Sequence, residues 1–422
     1  MADSRQVGRG SQGEQDPWAG RVAIARSGGR SFAYRPGREL VARSSWTRLV
    51  SEARSELLAE IGARGPVSEG DDKRAPVRID GVPDPVAAAR MLRDAGLAAQ
   101  VDHVFFATPG VGGAPVMFGG VGVGSCCGCC PPDIGPPTGA VPAPRTSTIR
   151  PAAAPRLPAG DRVCRVVVVD TGLAAVRFLP AGVHATAIGT RDEPDEDDDG
   201  HLDAAAGHAT FIAAIIEQLA PGATVEVRQV LTTFGDGSDS DVAAALWALV
   251  DDPPQVVNLS FAGYSEDDGP PLAVRQAIAA LVGRGVVVVA AAGNDATCRP
   301  AWPAAIDGVI GVAALDASGP AWFTNHGPWV RACAPGADVV SRFFAVPSHP
   351  SPAEQSDVGA LGAVVDWATW SGTSFAAPIV AGVIARTVLA GWTPEQATAK
   401  VVDDPDRLRL RGVGTVVNER PW

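Results

Sequence analysis

Two valine runs constrain this chain more than any other feature. Val166 to Val169 leads into Asp170-Thr171-Gly172, and Val286 to Val289 continues through Ala290-Ala291-Ala292-Gly293 to Asn294. A β-branched run without polar alternation suits a strand buried on both faces, and such strands belong to parallel sheets covered by helices on each side. The expected fold class is therefore α/β, a doubly wound, mostly parallel sheet. Ligands and reacting groups of open sheets gather beyond the carboxyl ends of the strands, which is where Asp170 and Asn294 are delivered.

Two apolar segments begin with chemically useful side chains. Ser371-Gly372-Thr373-Ser374-Phe375-Ala376-Ala377-Pro378 sets Ser374 at the first turn of a helix carrying Ile379, Val380, Val383 and Ile384. Free N–H groups and the positive end of the dipole at such a turn stabilise a developing oxyanion, so Ser374 is a candidate nucleophile. Pro378 is expected within that first turn, where its missing N–H costs little. His208 follows Gly207 and opens Phe211-Ile212-Ala213-Ala214-Ile215-Ile216, which makes it the candidate base. His201, the competing histidine, lies in an acidic polar stretch with no apolar helix after it. Asp170 is the carboxylate that would orient the base, and the Asn294 amide would donate to the oxyanion.

Asp170-Thr171-Gly172, Gly207-His208-Ala209-Thr210-Phe211, Ala291-Ala292-Gly293-Asn294 and Gly372-Thr373-Ser374-Phe375-Ala376-Ala377-Pro378 together resemble the four motifs of the subtilisin-like serine proteases, in that family's order. The similarity covers roughly residues 161 to 390. It implies peptide-bond hydrolysis by an Asp170, His208, Ser374 triad with Asn294 in the oxyanion hole. It further implies that substrate lies as an added strand along Ser260, Phe261, Ala262 and Gly263, opposite a rim at Gly235-Asp236-Gly237-Ser238, with Ala292 and Gly293 and the Trp302-Pro303-Ala304 wall nearby. Ala209 and Ala262 depart from the glycines usual in the family; each adds a methyl group beside the site. A narrow-specificity processing protease and a catalytically silent binding relative are the alternative functions.

The 422 residues are 46% hydrophobic and 19% charged, enough to bury a large core. A net charge of −12 with almost no lysine argues against nucleic acid as a partner and leaves protein or peptide substrates. No run reaches the roughly 18 apolar residues of a membrane span. The polar N-terminus lacks the apolar core of a signal peptide, so the chain as written is expected in the cytoplasm, or secreted if the start site is misassigned. No cofactor is required and no metal-ligand set stands out. The carboxylate-rich run from Asp192 to Asp203 is read as a solvated loop; structural calcium, which the family often uses, is the alternative, although the pattern matches no EF-hand.

Four regions are expected: a flexible tail at 1–20, a small α+β domain at 21–108, a Gly/Pro/Cys-rich linker at 109–160, and the catalytic domain at 161–422. Within the small domain, strands are expected at Arg30 to Val41, Val77 to Ile79 and His103 to Phe106, with helices at Trp46 to Ile61 and Pro85 to Ala95. Its second half is similar to the prodomains of some subtilisin-like proteases, which implies that it binds the catalytic domain; an unrelated α+β domain is the other reading. The cluster Cys126-Cys127-Gly128-Cys129-Cys130 lies in the linker without a second ligand pair. Cys298 and Cys333 are read as loop residues that pair with each other in an oxidising compartment.

Overall fold

In the computed structural model, residues 18–48, 51–69, 72–107, 145–151, 163–176, 178–193, 195–198, 202–343 and 367–419 are described. Both valine runs are strands of one nine-stranded sheet. Its order is Arg409–Leu410, Gly414–Val416, Val330–Pro335, Val309–Leu315, Val287–Ala291, Val256–Leu259, Arg165–Asp170, Thr224–Gln229 and Thr186–Ile188. Every neighbouring pair is parallel except the first, which is antiparallel.

The absence of polar alternation in the valine runs has its physical cause in two hydrophobic layers. Val166 and Val168 face the layer that holds the His208–Leu219 and Thr373–Leu389 helices. Val167 and Val169 face the Asp239–Trp247 and Leu272–Val282 helices on the other side. All four are fully buried, and each such side chain contributes about 1.5–3 kcal/mol relative to exposure. Helices on both faces of a parallel sheet make the fold doubly wound.

Residues 23–107 build a second sheet of strands Ala23–Ser27, Arg30–Val41, Val67–Ser68, Val77–Asp80 and Ala99–Ala107, backed by the Arg43–Arg48, Ser51–Glu60 and Pro85–Asp94 helices. The helix expected at 46–61 thus corresponds to two described segments, with Leu49 and Val50 outside the described residues. Ala23–Ser27 and Val67–Ser68 were not expected, and the last strand is longer than its His103 to Phe106 signal. This sheet does not end at the unit's own strands. Ala99–Ala107 pairs antiparallel with Asp236–Ser238 on one edge and with Phe261–Ala262 on the other, so the sheet has seven strands drawn from both halves of the chain.

Several sequence expectations fall differently. Trp18, assigned to the tail, is buried and meets Phe106 edge-on at 6.4 Å, because the apolar face of the second sheet needs a cover. Arg145–Thr146, assigned to the linker, pairs with the Trp367–Trp370 strand. Pro378 lies at the sixth position of its helix rather than in the first turn. Cys333 sits inside the Val330–Pro335 strand as a buried free thiol, and burial pushes it up to about 12. Cys298 is disulfide-bonded, but not to Cys333 or Cys164, both of which are free. Cys126, Cys127, Cys129, Cys130 and His201 lie outside the described residues.

Candidate active site

Asp170 ends its strand at the carboxyl edge of the large sheet, as the valine run predicts. Its Oδ1 lies 2.6 Å from Nδ1 of His208, and the Thr171 N–H donates to the same oxygen at 2.8 Å. Both side chains are fully buried. His208 opens its helix after Gly207, whose φ of 78° suits glycine and aims the N–H at Oδ2 of Asp192, 2.7 Å away. The imidazole is held in an aromatic cage, with Trp370 edge-on at 5.5 Å and Phe375 at 5.3 Å. Phe375 follows Ser374 directly, so the cage brings base and candidate nucleophile to one place. Among the described residues His208 Nε2 has no hydrogen-bond partner, and the Ser374 hydroxyl donates to the Ser260 carbonyl at 2.9 Å.

The interior proline explains a second bond between the same two serines. Pro378 has no N–H to give the carbonyl four residues earlier, which is that of Ser374. Oγ of Ser260 supplies the missing donor at 2.8 Å, and Ser260 is itself held by the Asn258 amide at 2.9 Å. The Val256–Leu259 strand is thereby pinned to the serine's helix.

Thr373 orients Asn294. Its N–H and its hydroxyl both donate to Asn294 Oδ1, each at 2.9 Å, which commits the carbonyl end of the amide and turns the donating nitrogen the other way. The Gly293 N–H donates to the same threonine hydroxyl at 3.0 Å. Gly293 has φ +99°, and a Cβ there would lie 2.4 Å from Asn325 Nδ2, so only glycine fits. Asn325 donates to the Ala292 carbonyl and accepts from the Asp295 and Thr297 N–H groups, which fixes the whole loop. Sequence reading missed Thr373, Asn325 and Trp370. Only Thr373 carried a signal, as the neighbour of Ser374.

Of the residues expected to hold substrate, Gly237, Phe261 and Ala262 pair with a strand of the N-terminal unit that fills the slot between them and Gly263 lies against that strand, whereas Ser260 bonds to Ser374, and Ala292 and Gly293 lie in the loop held by Asn325 and Thr373. Phe106 is in register with Asp236 on one side and Ala262 on the other; Phe105 opposes Gly237, and Ala107 opposes Phe261. Gly263 must be glycine here, since a Cβ would lie 2.7 Å from the Val104 carbonyl and 2.9 Å from the Phe105 ring. Beyond the slot, Asp102 accepts from the N–H and hydroxyl of Ser240 at the start of the Asp239–Trp247 helix, at 3.0 and 2.8 Å. Gln100 donates to Asp239 at 2.8 Å. Burial raises the Asp239 carboxyl to about 7, and the charge of Asp102 pushes the same way.

The solvated reading of the 192–203 run needs correction at both ends. Asp192 is buried in a short strand beside Ala174, and burial raises its carboxyl well above the usual range, the nearby Asp170 adding to this. Asp203 is buried too and is raised to about 7, by burial first and then by Asp197 and Asp195. Oxygens of Asp195, Asp197 and Asp203 lie within 4.8 Å of one another, a donor set that suits a hard cation such as calcium.

A carboxylate-bound histidine, a helix-start serine and a strand-accepting slot at the carboxyl edge of a doubly wound parallel sheet define the class. Residues 164–414 match the model of the subtilase family, and the chain belongs to that family. The thermostable alkaline protease of Halalkalibacterium halodurans is 31% identical over 231 residues, which cover 52% of this chain and 55% of that protein. Thermitase of Thermoactinomyces vulgaris is 28% identical over 257 residues, covering 60% of this chain and 83% of that protein. A cold adapted subtilisin-like serine proteinase of known structure superposes with a TM-score of 0.44 at 25% identity, covering 60% of this chain and 85% of that one. The match spans little more than half the length of the alkaline protease. Among the described residues no helix is long and apolar enough to cross a membrane.

Proposed function

We propose that the chain is a serine endopeptidase that works through an acyl-enzyme. Ser374 Oγ attacks the scissile carbonyl and breaks the C–N bond. His208 Nε2 takes the hydroxyl proton and passes it to the leaving amine, while Asp170 holds Nδ1 so that the opposite nitrogen is the base. The Asn294 amide and the Ser374 N–H stabilise the oxyanion. Water, activated by the same imidazole, then releases the acyl group. The observation that carries this reading is the 2.6 Å contact between buried Asp170 and His208 beside the Ser374 helix. A fluorophosphonate should label the chain at Ser374 and leave Ser374→Ala unlabelled. Ser374→Ala and His208→Ala should each lose casein hydrolysis, on the order of 10⁶ in kcat. Retention of more than a few per cent by either variant overturns the triad.

Residues 21–108 act, in this reading, as an inhibitor whose last strand fills the substrate slot until the chain is cut within 109–160. The strand's antiparallel pairing on both edges supports this. Wild type should show a Ser374-dependent loss of mass that Ser374→Ala does not; full activity of an uncut wild-type chain would refute it. The disulfide at Cys298 favours an oxidising compartment over the cytoplasm. Recovery of that cysteine as a free thiol from protein purified without reductant would count against export.

A further inference from the structure

We propose that Asp236 selects substrates with a basic side chain at the register position held by Phe106, and that Arg21 and Arg35 stand in for that side chain while residues 21–108 are docked. This preference presupposes the endopeptidase reading above and adds a substrate class to it.

Asp236 forms part of the slot wall, yet its carboxylate is fully buried. Oδ1 accepts from the Thr232 hydroxyl at 2.5 Å and from Arg21 Nη2 at 3.3 Å, and Arg35 Nη1 lies 2.6 Å from Oδ2. Both cations come from the N-terminal unit. The same polarity recurs across the contact: Arg90 and Arg93 meet Glu266 at 2.7 and 3.0 Å, Arg74 meets Asp251 at 3.1 Å, and Arg30 pairs with Asp268. In every one of these pairs the arginine belongs to the occupant and the carboxylate to the face it covers.

Register turns this polarity into a position. Asp236 and Phe106 are directly opposed, so their side chains share a face, whereas Phe105 points to the other. Directly opposed Cβ atoms lie about 4.5–5.5 Å apart, well within the span of an arginine or lysine side chain. A substrate strand would cover Asp236 as the docked strand does. Without a cation it would leave a buried, unpaired carboxylate, and with a glutamate it would set two like charges face to face. Arginine or lysine at this position should therefore be preferred over glutamine, and glutamine over glutamate.

Internally quenched peptides reproducing residues 101–112, with Arg, Gln or Glu in place of Phe106, test this on the whole protein after self-processing. The expected result is an Arg-to-Glu ratio in kcat/KM of about tenfold or more, falling as salt is raised. Asp236→Asn should bring the ratio near one. A wild-type ratio near one, or a high ratio kept by Asp236→Asn, overturns the proposal. Should the variant fail to fold, the wild-type ratio and its salt dependence decide alone. Cleavage of casein but of none of the three peptides refutes the register on which the proposal stands. If casein also stays intact, the endopeptidase reading itself fails, and the preference falls with it.

Discussion

Truncating Phe105 to alanine should release the strand that fills the slot. Phe105 is 1% exposed, stands 5.5 Å from Phe261 and belongs to the hydrophobic layer that holds Leu231, Leu246 and Leu259 of the large domain. Its ring contact with Phe261 ties the docked strand to that domain. Loss of a buried phenylalanine costs about 3–5 kcal/mol, and at 1.36 kcal/mol per decade that favours the open state by a factor between about 10² and about 10⁴. The measurement is hydrogen exchange of segments 236–238 and 261–262 in a Ser374→Ala background, where self-cleavage cannot interfere. Exchange there should rise by that factor, while the Val166–Val169 core stays protected. If protection in both segments changes less than threefold while the melting temperature falls, Phe105 supports its own unit and does not hold it in the slot.

Asn294→Ala should lower kcat by about 10²–10³ with little change in KM, because the oxyanion forms only in the transition state; an equal rise in KM at unchanged kcat would remove the assignment. Docking should also depend on pH. Docked Asp239 keeps its proton up to about 7, raised by burial and then by the charge of Asp102 from the docked strand, so its contribution to docking is present at acid pH and is lost as pH rises through about 7. Buried His103, pulled down to about 4, must stay neutral, so it opposes this below about pH 6.5 and has no effect above. Protection at 236–238, corrected for the intrinsic rise of amide exchange with pH, should therefore fall between about pH 6.5 and 7.5, and Asp239→Asn should remove that fall. Tighter docking over that interval would contradict the reading.

The large sheet was legible because burial on two faces leaves an unbroken valine run that no solvent-facing strand would show. The positions of Asp170 and His208 were legible because one ends a strand and the other opens a helix; Ser374 is the second residue of its helix, and Asn294 lies three residues beyond the Val287–Ala291 strand. What escaped notice depends on partners far along the chain. Nothing in Asp192 foretells burial, since that follows from the Gly207 N–H and the Thr171 hydroxyl closing around it. Pro378 read as a helix-start proline because Ser260, more than a hundred residues away, supplies the donor that makes an interior position tolerable. The His103 to Phe106 run announces a strand, and the family resemblance marked 235–238 and 260–263 as edges for a substrate strand, but nothing local to any of them says that they pair with one another.

The slot between those two segments is bordered by backbone on both sides, so a guest must offer hydrogen-bonding groups along both of its edges at once. An interior strand of a folded sheet has neither edge to spare, and an outer strand has only one. Helices have none. What remains is a chain segment already free of its own structure, such as an unfolded region or an extended loop several residues long. On the endopeptidase reading proposed above, susceptibility to this protein would be governed less by which bonds a target contains than by how often the target lets a stretch of its chain come loose.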